Sequence, residues 1–220
     1  MADALRAIVL ATQNEKKRRE LAELVAGRFV VRTLADDGLG DLEIIEDADT
    51  FAGNARRKAD AVYKALAQRG RLHDVVAVLA DDSGLMVDAL DGRPGVRSAR
   101  FAADHGLEAG DEANNVLLLQ QLAGVSVDRR SARFCCAIYV RISDERSAEA
   151  FGTVEGHIAT DLQGAGGFGY DPLFVPDEHP GRRMAELSSD EKHRISHRGK
   201  AMRLALEELE SLLTHGSARS

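Results

Sequence analysis

The stretch VVAVLADDSGLMVD, Val75 to Asp88, decides how the rest of the chain is read. It opens Val-Val-Ala-Val-Leu, apolar without alternation, and so reads as a buried strand. It then changes to Asp81-Asp82-Ser83-Gly84. Two adjacent carboxylates at the end of an apolar strand are costly unless each meets a cation, hydrogen-bond donors or water. Gly84 lets the backbone turn sharply or approach a ligand closely. Apolar strands that end in acidic residues hold Mg²⁺ near a phosphate in many α/β proteins. The alternative is an Asx turn with both carboxylates solvated.

Upstream, Ala7 to Ala11 is a second buried strand, followed by a turn at Thr12, Gln13 and Asn14. A helix is expected from about Glu15 to Val25, with Leu21, Leu24 and Val25 inward. Its first turn carries Lys16, Lys17, Arg18 and Arg19, the wrong sign for the positive end of a helix dipole. The misfit costs a few tenths of a kcal/mol per residue if they are solvated. It becomes favourable if an anion sits at the helix start; an exposed basic face is the other reading. Phe29 to Arg32 is a short strand, and Asp36 to Asp49 an acidic connection containing Glu43, Glu46, Asp47 and Asp49. Thr50 caps a helix running to about Arg69, and Gly70 ends it. Phe51, Ala55, Ala59, Val62 and Leu66 form its buried stripe, while Asn54 and Lys58 share a different face.

Downstream, residues 90–101 (LDGRPGVRSARF) form a turn-rich loop. Glu112 to Leu122 is a short helix with Val116, Leu119 and Leu122 inward. Ser131 to Ile142 and Glu149 to Ile158 pair as a hairpin around SDERS. Residues 163–174 (QGAGGFGYDPLF) place Phe168 and Tyr170 among glycines, either as a stacking platform for a planar ring or as anchors of the loop. Ser188 and Glu191 form a capping box, with Lys192 in the first turn. His197 and Arg198 fall in a loop before a final helix, about Lys200 to Leu213, that buries Met202, Leu206, Leu209 and Leu213.

The 220 residues, 44% hydrophobic, suit one large domain or two small lobes. A net charge of -7 argues against non-specific binding to duplex nucleic acid. The two cysteines, Cys135 and Cys136, are strand neighbours on opposite faces, so no bridge joins them and no zinc spacing exists. They fit a reduced, cytoplasmic protein. No apolar run is long enough to span a membrane. The last residues, 214–220, are expected to fray.

Together these pieces make a nucleoside triphosphate site: cations at a helix start, an acidic pair, an aromatic glycine-rich loop and a Lys/His/Arg cluster. The chain resembles the Ham1/RdgB family of inosine triphosphate pyrophosphatases. The resemblance rests on TQNEKK (12–17), TFAGNARRKA (50–59), ADDSGL (80–85), GRPGVRSARF (92–101), GGFGYDPLF (166–174) and SHRGKA (196–201), in the family's order over nearly the whole chain. It implies a single domain with an elongated mixed α/β sheet and two lobes, the nucleotide in a cleft between them. It also implies hydrolysis of ITP, dITP and XTP to monophosphate and pyrophosphate with Mg²⁺, by a homodimer. Thr12, Gln13, Asn14, Glu15, Lys16 and Lys17, together with Lys58, would hold the triphosphate. Glu46 and Asp82 would hold Mg²⁺, and Asp82, with Asp81 beside it, would accept the proton. Ser83 would touch the substrate. Phe168 would stack on the base, with Gly169, Tyr170 and Asp171 lining its pocket. Lys192, His197 and Arg198 would hydrogen-bond the purine. The family usually has Gly where this chain has Gln13, whose Cβ restricts a close backbone approach. A phosphatase releasing orthophosphate, a nucleotide sensor without turnover and a structural interaction protein are the competing classes.

Overall fold

The computed structural model describes residues 7–12, 19, 22–23, 25 and 27–215. The strands are β1 (Ala7–Leu10), β2 (Val30–Arg32), β3 (Val75–Val87), β4 (Ser131–Arg141), β5 (Ser147–Ile158) and β6 (Phe174–Pro176). They form one six-stranded sheet in the order β2-β1-β3-β4-β5-β6. β1 runs parallel to both β2 and β3, with Ile8 opposite Val31 and Ala77, while β6 is antiparallel to β5. The helices are α1 (Phe51–Gln68), α2 (Phe101–Asp104), α3 (Asp111–Gln121), α4 (Ser189–Ile195) and α5 (His197–His215). The fold is therefore mixed α/β, as expected. The expected helix over 15–25 and the tail from 216 onward lie outside the described residues, save for isolated positions.

Contacts divide the chain into two compact units. The first comprises Met1–Asp82, Ala137–Phe151 and Arg198–Ser220; the second, Ser83–Cys136 and Gly152–His197. In the first, β1 is wholly buried, as its unbroken apolar run requires. α1 begins where the sequence places it: the Gly53 N–H donates to Thr50 Oγ1 at 3.0 Å. All five residues of its predicted stripe are buried. Gly70 leaves the helix with φ +64°, a conformation that favours glycine. The second unit has its own apolar core, in which Leu85, Phe101, Leu118, Phe134, Ile158 and Phe174 are buried together. Cys135 and Cys136 are both buried and neither is in a disulfide, and burial pushes the Cys135 thiol up to about 11.

Four expectations are corrected. β3 does not end at the aspartates; it continues through Asp81, Asp82, Ser83 and Gly84 to Val87, so no turn forms and neither carboxylate is solvated. Partners on other elements, described below, make that burial tolerable. On α3 and its C-cap, Leu122 is buried and Leu119 half-buried against the core as expected, but Val116 is 43% exposed, whereas Asn114 and Asn115 are buried. Asn114 explains the change. It accepts the Ala102 N–H at 2.7 Å and donates to the Ser98 carbonyl at 3.3 Å, so the start of this face grips loops while Leu118 and Leu122 further along it enter the apolar core. His197 and Arg198 are not in a loop: Ser196 alone separates α4 from α5, and both residues are in the first turn of α5. Met202, Leu206 and Leu209 are buried as expected, but Leu213 is only half-buried.

The capping box of α4 is present, with the Ser188 N–H donating to Glu191 Oε2 at 2.8 Å. Arg182 beside it, and these Ser188 donors, hold the Glu191 carboxyl at about 2. A depressed carboxylate stabilises fully above its ordinary value, 4.5, and loses that contribution as pH falls toward 2. The start of α4 should therefore loosen within that window. Amide exchange at residues 188–191 should accelerate there before the core of the second unit responds.

Candidate active site

The candidate residues fall into two sets, one in each unit. In the first unit the centre is Lys58, buried on α1. Its Nζ donates to Asp82 Oδ1 at 3.1 Å and to Glu46 Oε2 at 2.9 Å. Burial alone would lower the Lys58 ammonium, but the Asp82, Asp81 and Glu46 carboxylates outweigh it and hold its pKa above the ordinary 10.5. The other oxygen of Asp82 accepts from Asn54 Nδ2 at 3.2 Å. Asn54 and Lys58 thus meet one carboxylate because they are four apart on a helix. Asp81, 1% exposed, has its Oδ2 3.8 Å from Arg198 Nε.

Three successive residues of the acidic connection are tied to α1. Glu46 pairs with Lys58, Asp47 with Arg57, and the Ala48 N–H donates to Asn54 Oδ1 at 2.9 Å. Gly53 makes the approach possible, since a Cβ there would lie 2.8 Å from that of Ala48. The TFAGNARRKA motif thus both caps a helix and delivers Glu46 to the ammonium that holds Asp82. Asn54 was not among the expected site residues. Its spacing from Lys58 was the signal available.

Of the expected triphosphate residues, Thr12 follows β1, half-buried, its N–H donating to the Leu10 carbonyl at 3.0 Å. Gln13, Asn14, Glu15, Lys16 and Lys17 lie outside the described residues. Among the described residues no three His, Cys, Asp or Glu side chains converge as a metal shell. Glu46 and Asp82 nevertheless share one cation, the Lys58 ammonium, and offer it hard oxygen donors. That fits Mg²⁺, which is held by one or two carboxylates together with substrate phosphates and water, not by an all-protein cage.

The second unit carries the glycine-rich loop. Asp171 organises it, with Oδ2 accepting the Phe168 N–H at 3.3 Å and Lys192 Nζ at 3.2 Å. Gly167 has φ +83°, and a Cβ there would fall on the Asp171 carboxylate and 2.6 Å from Lys192 Nζ. Glycine is needed because the loop lies against its own ion pair. Tyr170 is buried in the core and its hydroxyl donates to the Ser98 carbonyl at 2.9 Å, so it anchors the loop. Burial raises its pKa. Phe168 and Gly169 are half-buried. His197 is buried and stacks on Phe134, ring centroids 5.0 Å apart and planes 10° from parallel. Ser83 is half-buried at the start of this unit.

These parts define a class: mixed α/β proteins with a carboxylate–ammonium centre on the central strand and a glycine-rich aromatic loop. The model of the Ham1 family matches residues 8–208, and the chain belongs to that family. It is 48% identical over 210 residues to a dITP/XTP pyrophosphatase of Desulforamulus reducens, covering 94% of this chain and 98% of that protein. It is 42% identical over 204 residues to one of Bacillus subtilis, covering 92% and 96%. Among solved structures, the Ham1 protein of Staphylococcus aureus superposes with a TM-score of 0.80 at 36% identity, covering 94% of this chain and 99% of that one.

Proposed function

We propose that this chain hydrolyses the purine nucleoside triphosphates ITP, dITP and XTP to the monophosphate and pyrophosphate, and so cleans the nucleotide pool. The observation that carries the reading is the Asp82 carboxylate, buried mid-strand and held between Lys58 and Asn54 with Glu46 on the same ammonium. Relatives named dITP/XTP pyrophosphatase match over nearly their whole length. Glu46 and Asp82 would hold Mg²⁺, which when bound would offset the charge of the phosphates. Asp82 or Asp81 orients the attacking water and takes its proton at the α-phosphorus. The water oxygen bonds to that phosphorus, the bond to the bridging oxygen breaks, and pyrophosphate leaves. Lys58, released from Glu46, and Lys17 offset the leaving charge. Phe168 stacks on the base, with Lys192, His197 and Arg198 donating to the purine. The same reading has the enzyme working in the cytoplasm as a homodimer, the dimer resting on family resemblance alone.

Hydrolysis in ¹⁸O-water tests the chemistry. The label should appear in the monophosphate, with pyrophosphate unlabelled; orthophosphate as first product would indicate a phosphatase instead. Selectivity follows from the donor at the 6-position. Inosine and xanthosine offer a 6-oxo acceptor, whereas adenine offers an amino donor and leaves the site's donor unmatched, at about 1–3 kcal/mol. Arg198→Ala should therefore shrink the ITP-over-ATP ratio of kcat/KM by roughly tenfold or more. An unchanged ratio would remove Arg198 from base selection.

A further inference from the structure

The start of α3 grips the loop that carries Phe168 from both sides of one residue. The Gly169 N–H donates to Asp111 Oδ2 at 2.7 Å. Asn115 Nδ2 donates to the Gly169 carbonyl at 2.8 Å, and also to the backbone carbonyl of Asp111 at 2.8 Å. Asp111 and Asn115 are four apart, so one helical turn presents an acceptor and a donor side by side. The peptide group before Gly169 and the one after it are thereby both fixed. These two groups set where Phe168 leaves the chain on one side and Tyr170 on the other. Gly169 itself adopts φ +62°, and a Cβ there would meet nothing within 4 Å, so its neighbours do not wedge it in place. Asn115 is 3% exposed, whereas Asp111 is exposed.

We infer that Asp111 and Asn115 are positioning residues for purine recognition: they hold the glycine-rich loop so that the Phe168 ring is presented to the base before substrate arrives. This rests on the reading of Phe168 as the stacking ring. A loop already held gives up less freedom on binding, so the effect belongs in KM and not in the chemical step.

Asp111→Ala, an exposed change, decides the matter. KM for ITP should rise about five- to tenfold, the scale of one hydrogen bond, with kcat within about twofold. Hydrogen exchange across residues 166–171 should quicken while the core of the second unit keeps its protection. Asp111→Asn should restore both, because an amide oxygen still accepts from Gly169. Asn115→Asp should resemble Asp111→Ala, since a carboxylate cannot donate to two carbonyls. Unchanged KM or unchanged loop exchange in Asp111→Ala, with wild-type turnover of ITP intact, would overturn the inference alone. Failure of Asp111→Asn to rescue would do the same. A wild-type protein that does not turn over ITP would overturn the parent reading and this one with it.

Discussion

The Asp82→Asn protein is expected to fold and to lose at least about a hundredfold in kcat, the scale on which loss of a general base is felt. Asparagine keeps the shape of the buried side chain, and its oxygen still accepts from Lys58, which Glu46 continues to pair. Its amide nitrogen, however, would face Asn54 Nδ2, a donor whose own oxygen is committed to the Ala48 N–H. That mismatch costs about 1–3 kcal/mol, so the fold survives. The water, by contrast, loses the carboxylate that orients it. Steady-state turnover of ITP beside a thermal melt separates the two effects, and near-wild-type kcat in the folded variant would take Asp82 out of the reaction.

Lys58→Met should be worse for stability as well as for catalysis. It leaves the 9%-exposed Asp82 side chain without its ammonium, while Glu46, 41% exposed, can return to water. Breaking a buried pair in this way costs about 3–5 kcal/mol, whereas replacing both members with apolar groups is often neutral. The double variant Lys58→Met/Asp82→Leu should therefore regain most of the lost stability while turnover stays about a hundredfold or more below wild type. Melts of Lys58→Met, of Asp82→Leu and of the double variant close a cycle with the wild type. If the double variant melted no higher than Lys58→Met, the pair would not be what holds Asp82 in the strand.

Local patterns were the legible part of this fold. Thr50, the five-residue stripe of α1, the Ser188–Glu191 box and the hairpin around residues 142–146 depend on near neighbours, and the sequence displays near neighbours. β3 was misread at Asp81 because two consecutive carboxylates look like a strand end. Lys58, Asn54 and Arg198, brought from other elements, help make them tolerable inside the sheet. Val116 was misplaced for a related reason. Apolar periodicity assumes that a helix buries only apolar side chains, but α3 buries Asn114 and Asn115 beside Leu118 and Leu122 because loops there need donors and acceptors. At the site, Glu46, Lys58 and Asp82 come together within the first unit, and Asp171 and Lys192 within the second. The tie between Asp111, Asn115 and Gly169 spans more than fifty positions and leaves no periodic trace.

Purified protein supplied with Mg²⁺ and, in parallel, ITP, dITP, XTP, GTP and ATP gives the most direct test of the proposed activity. The expected result is monophosphate plus pyrophosphate, with kcat/KM for ITP, dITP and XTP at least about tenfold above that for ATP, the discrimination one mismatched donor supplies. Comparable rates on ITP and ATP, or orthophosphate as the first product, would contradict it.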